Sequence, residues 1–191
     1  TDGRTDRSPL VQALRAGTTG KRPEITPVWF MRQAGRSLPE YRAAREGVSM
    51  LDSCLRPDLA SEITLQPVRR HRVDAGIFFS DIVVPLRLAG VEVEIAPGVG
   101  PVMGQAYRTP DDVARLVESE LTEDALAPIR EAVALTVDAL GTTPLIGFAG
   151  APFTLAAYLV EGRPSRDPLA ARALLRGAPA PWPRLGAWAA A

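Results

Sequence analysis

Three short, mainly apolar runs, Val28-Trp-Phe-Met31, Ala75-Gly-Ile-Phe-Phe-Ser-Asp81 and Leu145-Ile-Gly-Phe-Ala-Gly150, constrain this chain more than any other feature. Each is too short for a stable helix and lacks the alternation of a half-exposed strand, so each reads as a buried strand. Helical patterns lie between them. Strands buried on both faces and separated by helices need crossover connections between parallel neighbours. The expected class is therefore α/β, with a parallel sheet covered by helices.

Local signals set the element ends. Ser8-Pro9 pairs an N-cap residue with proline at the first helical position, and that helix should stop at Gly17. Leu38 to Arg45 reads as a short helix ended by Gly47, and Pro57-Asp58 opens a longer one that Pro67 should kink. Cys54 falls in what reads as a polar loop. Val91-Glu-Val-Glu-Ile95 alternates with period two, turns at Pro97-Gly98 and can pair back through Pro101-Val102-Met103 as a hairpin. Thr109-Pro-Asp-Asp112 is a helix start with acids in the first turn. Leu126, Ile129, Val133, Val137 and Leu140 share one helix face, and Pro152 starts a helix that reaches Glu161. The order is β-α-α-β-hairpin-α-α-β-α.

Composition removes several function classes. Lys plus Arg number 22, as do Asp plus Glu, and a net charge of zero argues against nucleic acid as the main partner. No apolar run approaches the ~20 residues of a membrane span, and Thr1 to Arg7 holds no signal-peptide core. A single cysteine allows no intrachain disulfide, which suits a cytoplasmic location. One histidine and one cysteine are too few for a His/Cys zinc site, so no metal is expected. Gly17-Thr-Thr-Gly-Lys21 has the wrong spacing for a P-loop.

Chemistry concentrates after the first apolar run. Arg32 and Arg36 flank Gly35 on one tight loop. Guanidiniums bind carboxylates and phosphates through a planar fork, so one reading is a site for a ligand with several acidic groups. The other is that both arginines pair with surface carboxylates. Asp81, at the end of the second run, is open to a similar choice between a site carboxylate and a helix cap or ion pair.

Three segments taken together resemble the uroporphyrinogen decarboxylase family. They are Trp29-Phe-Met-Arg-Gln-Ala-Gly-Arg36 with Leu38-Pro-Glu-Tyr-Arg42, then Phe79-Ser-Asp-Ile82, then Leu145-Ile-Gly-Phe-Ala-Gly-Ala-Pro-Phe-Thr154 with Tyr158 and Glu161-Gly162. Thr64-Leu-Gln-Pro67 and the Pro97-Gly98, Gly100-Pro101 turn agree in order and spacing. The resemblance implies a (β/α)8 barrel, of which this chain would be an incomplete N-terminal portion with about three barrel strands and a β-hairpin insertion. Residues 1–191 read as a single domain, with 163–191 a divergent or truncated tail rich in Ala, Pro and Arg. Within the tail, Leu174, Leu175, Trp182, Leu185 and Trp188 suit an amphipathic helix, which Pro179, Pro181 and Pro183 would interrupt.

The implied reaction removes the four acetate carboxyls of uroporphyrinogen, giving coproporphyrinogen, with no metal or organic cofactor. The full-length form would be a homodimer. On this resemblance Asp81 accepts hydrogen bonds from the pyrrole N–H groups, Arg32 handles the reacting acetate or its proton, and Tyr158 holds the Asp81 carboxylate. Arg32, Gln33, Ala34, Gly35 and Arg36 form the substrate loop, and Arg45 adds a further carboxylate contact. The family pattern continues, beyond the segments matched here, with strands bearing a Ser and a His. Two alternatives are a corrinoid-type methyltransferase of the same fold and an inactive tetrapyrrole-binding fragment.

Overall fold

The computed structural model describes residues 3–31, 34–35, 37–177 and 181–190. In chain order its elements are α1 (Pro9–Thr18), α2 (Pro39–Ala44), α3 (Met50–Cys54), α4 (Pro57–His71), β1 (Gly76–Ile77), α5 (Val84–Leu88), β2 (Val93–Ala96), β3 (Gly100–Met103), α6 (Pro110–Leu116), α7 (Glu123–Leu140), β4 (Leu145–Ile146), α8 (Pro152–Glu161), α9 (Leu169–Gly177) and α10 (Pro181–Ala190). Packing divides the chain into two units, Thr1–Ser80 with Ala127–Phe148, and Asp81–Leu126 with Ala149–Ala191.

In the first unit α4 packs against α2, α3 and β1. Its Leu59, Ile63 and Pro67, four residues apart, lie on one face and are buried. The helix runs on through Pro67 to His71. Arg69 and Arg70 stand with His71 in its last turn, where the helix dipole favours positive charge.

The next segment, β1, pairs in parallel with β4, Gly76 opposite Leu145 and Ile77 opposite Ile146. Bonds from Gly76 N–H to Pro144 O (2.9 Å) and from Phe78 N–H to Ile146 O (3.0 Å) extend that ladder at both ends. A Cβ at Gly76 would come within 3.3 Å of Val68 and 3.4 Å of Leu140, so glycine lets the strand lie close to α4 and α7. Beyond the ladder, the fully buried Thr64 hydroxyl accepts the Phe79 N–H at 2.8 Å and donates to Ala60 O at 2.8 Å.

Three expectations are corrected here. Val28–Met31 is not a strand. Among the described residues its backbone is tied at Val28, whose N–H meets Asp74 Oδ2 (2.7 Å) and whose carbonyl takes the Asp74 N–H (2.8 Å). With no ladder beyond that point its side chains stay open, and Met31 is 78% exposed. Cys54 lies in no loop; it is a buried residue of α3, a single helical turn capped by Ser49. Finally, α1 continues past Gly17 to Thr18, with Ser8 as its cap.

In the second unit β2 and β3 form the expected antiparallel hairpin, Val93 opposite Met103 and Ala96 opposite Gly100. Gly98 and Gly100 take positive φ at its turn, 75° and 105°. Thr109 and Asp112 complete a reciprocal capping box on α6. Chain returning from β3 bonds to α8, Met103 N–H to Gly162 O (2.8 Å) and Tyr107 N–H to Leu159 O (2.9 Å). Arg108 adds side-chain bonds to the carbonyls of Val160 (3.1 Å) and Glu161 (3.4 Å) at the end of that helix. The tail forms two helices, as its prolines suggest. α9 buries Ala171 and Leu174, α10 buries Leu185, and the Trp188 indole donates to Ser119 O at 2.7 Å. Among the described residues no helix is long and apolar enough to cross a membrane.

Candidate active site

The basic loop is entered through the Val28–Asp74 tie, which fixes its start to the residue before Ala75 and β1. Phe30 stands edge-on to His71 with ring centroids 6.1 Å apart. Arg32, Gln33 and Arg36 lie outside the described residues. Ala34 and Gly35 are half-buried, and Gly35 O accepts the Leu38 N–H at 3.1 Å, leading into α2. Among the described residues a Cβ at Gly35 would meet nothing within 4 Å.

Arg45 stands just past α2 and is half-buried. Its Nε donates to Ser53 Oγ (3.0 Å), Nη1 to Tyr41 OH (2.8 Å) and Nη2 to Val48 O (3.2 Å), and the guanidinium lies 5.5 Å from the centre of the Tyr41 ring. Its planar fork thus fastens α2 to α3. Tyr41 is buried and meets Phe79 edge-on at 6.0 Å.

Asp81 opens the second unit and is half-buried. Its Oδ1 accepts the Val83 N–H at 3.0 Å, a two-residue turn that Asp makes readily and that fixes the carboxylate ahead of α5. Ile82, the next residue, lies against Gly150: a Cβ there would sit 3.2 Å from the Ile82 Cβ and 2.7 Å from Leu155. Glycine leaves that room, so the structure brings the Asp81 turn and the Gly150-Ala151-Pro152 turn together. The latter opens α8, with proline at its first position.

Tyr158 lies farther along α8 and is half-buried. It lines a cleft of about 200 Å³ whose walls include Thr154, Glu161, Arg163 and Ser165. Asp81 is not among those walls, and among the described residues the Tyr158 hydroxyl has no hydrogen-bond partner. Arg163 and Ser165 open the Ala-, Pro- and Arg-rich segment and carry no motif of their own; the adjacent Glu161-Gly162 is the nearest sequence signal.

A parallel β1–β4 pair reached through helices, with chemistry-bearing residues after the strands, defines the front portion of a (β/α)8 barrel. A methyltransferase from Methanosarcina mazei superposes with a TM-score of 0.68 at 16% identity, covering 95% of this chain and 52% of that one, a likeness of fold alone. The family model for uroporphyrinogen decarboxylase (URO-D) matches residues 8–189 and so takes in most of the 163–191 segment. A uroporphyrinogen decarboxylase of Arthrobacter sp. (strain FB24) is 67% identical over 189 residues, covering 99% of this chain and 53% of the relative. That of Leifsonia xyli subsp. xyli (strain CTCB07) is 64% identical over 191 residues, covering 98% and 50%. The chain belongs to the uroporphyrinogen decarboxylase family. It spans about half the length of the curated relatives it matches.

Proposed function

We propose that this chain supplies the N-terminal part of a carboxy-lyase that converts uroporphyrinogen III to coproporphyrinogen III by removing four acetate carboxyls without a cofactor. The observation that carries this reading is the 67% identity to a uroporphyrinogen decarboxylase across nearly the whole chain. In the full-length form we place the enzyme in the cytoplasm, which a single buried cysteine suits, and as a homodimer, which the family resemblance implies.

In each round a proton adds to a pyrrole carbon and makes the ring an electron sink. The electron pair of the acetate's carboxyl bond then flows into the ring as carbon dioxide leaves. Protonation of the exocyclic carbon and loss of the ring proton leave a methyl group. Asp81 faces the pyrrole N–H groups and stabilises the cationic ring. A carboxylate already held by the Val83 N–H needs little reorganisation as that charge develops. Arg32, Gln33, Ala34, Gly35 and Arg36 grip substrate carboxylates, and Arg32 orients the reacting acetate through a bound water. Arginine holds its proton too tightly to be a good direct proton donor. Arg45 adds a further carboxylate contact, and its bonds to Tyr41, Ser53 and Val48 hold its fork in place. Tyr158 contributes from α8.

Anaerobic incubation of the chain with uroporphyrinogen, followed by mass spectrometry, tests the reading; stepwise carbon dioxide loss supports it. In a chain extended to the relatives' full length, Asp81→Asn is expected to lower kcat by about 10²–10³ with the fold kept. Undiminished turnover in that variant removes Asp81 from the mechanism.

A further inference from the structure

The cleft beside Tyr158 holds a cation that the reading above does not use. Its about 200 Å³ is below the roughly 300 Å³ at which pockets begin to take whole small molecules. It is a space for an arm of a ligand, not for a macrocycle. Its polar groups are the Tyr158 phenol, the Thr154 and Ser165 hydroxyls, the Arg163 guanidinium and the Glu161 carboxylate. Glu161 is already engaged, since its Oε1 accepts the Ala171 N–H at 3.1 Å. Arg163 is exposed and makes no hydrogen bond or ion pair with any described residue.

The cleft is also held in place. The Gly162 carbonyl takes the Met103 N–H at 2.8 Å, and Gly162 has φ 80°, so the chain leaves α8 at a set angle. Ser165 Oγ donates to Asp167 O at 2.8 Å and accepts the Asp167 N–H at 3.3 Å, closing the turn that carries it. An uncommitted guanidinium beside an uncommitted phenol, both donors, suits a planar anion with two acceptor oxygens.

We propose that this cleft is a subsite for one carboxylate-bearing arm of the polycarboxylate substrate, with Arg163 as the charged partner and Tyr158 as the neutral donor. This inference rests on the tetrapyrrole reading above.

Uroporphyrin, the stable oxidised octacarboxylate, is the probe, titrated by fluorescence into the wild-type chain, Arg163→Gln and Arg163→Lys. Loss of one charge-assisted pair is expected to weaken binding about tenfold in Arg163→Gln. Arg163→Lys recovers part of that loss, because it keeps the charge and loses the fork. Equal affinity in wild type and Arg163→Gln overturns the subsite. If the wild type binds no uroporphyrin, the tetrapyrrole reading fails and the cleft is judged with sodium propionate by NMR. A saturable shift of the Arg163 Nε–H and Ser165 amide signals that vanishes in Arg163→Gln supports a carboxylate subsite; no shift overturns it. Because Arg163 is exposed, its variants should match the wild type in circular dichroism.

Discussion

Phe30 is 50% exposed and Phe79 is 6% exposed, although both belong to short apolar runs of the first unit. The difference is in what each backbone is tied to. The run ending at Phe79 has β4 beside it in register, with Thr64 taking the next free N–H. The run holding Phe30 has the Asp74 tie at Val28 and no ladder after it. Apolar side chains are buried along a run only where the backbone beneath them is also paired, because unpaired N–H and C=O groups are costly to bury.

The sharpest way to break this comparison is to truncate the same side chain in both runs. Phe79→Ala should cost about 3–5 kcal/mol, since it empties a packed site and removes the edge contact with Tyr41. Phe30→Ala should cost under about 1 kcal/mol, most of it the contact with His71. Urea midpoints of the two variants measure the gap. Equal losses would mean that both runs are buried alike and that the contrast is wrong.

A subtler change isolates the hydroxyl beneath the strand end. Thr64→Val keeps the shape of the side chain and leaves the buried Phe79 N–H without an acceptor, a loss of about 1–3 kcal/mol. Thr64→Ser keeps the acceptor and should cost roughly 1 kcal/mol, the value of a buried methyl. If serine proves as damaging as valine, packing and not the hydrogen bond secures Phe79.

The same contrast explains which features could be read in advance. Caps and turns depend on neighbours a few residues away, so Ser8, Thr109 with Asp112, Gly98 and Pro152 announced their elements correctly. Strand pairing depends on distant segments, and nothing inside Val28–Met31 says that a ladder will be missing there. α3 escaped notice because a single turn is too short to show a helical period, although Ser49 was a legible cap. Asp81 reads as the last residue of a strand, whereas β1 stops at Ile77 and the carboxylate accepts the Val83 N–H in a local turn that composition does not announce. The engagement of Arg45 depends on Ser53 folding back from the next helix, and no motif records that. Arg163 was hidden for a different reason: it lay beyond the last motif, and no periodic pattern marked its neighbourhood as a wall.

The smallest expected effect concerns how α2, which follows the basic loop, is held at the surface. Both Glu40 oxygens are bound by Arg70, Oε1 by Nε at 2.7 Å and Oε2 by Nη2 at 2.8 Å. Arg70 is in the last turn of α4, so this bidentate pair joins the first turn of α2 to the end of α4. The hydrogen bond from Arg70 is the main reason the Glu40 carboxyl is held below its ordinary range; a bond to its own backbone adds to this, as do the charges of Arg70 and His71. A carboxyl depressed in the folded state favours folding above its unfolded pKa of ~4.3, and that contribution fades as the pH falls through the lower folded value. Asp112 is depressed as well, chiefly by hydrogen bonds from Thr109, so the wild type loses stability in acid from two directions. Glu40→Gln removes one of them. Its urea midpoint should lie slightly below the wild-type value at pH 7 and converge on it in acid. Because the pair is exposed, the separation at neutral pH should also shrink as salt is added. A separation that persists in acid would mean that Glu40 acts through packing or shape, leaving its charge without a part in holding α2.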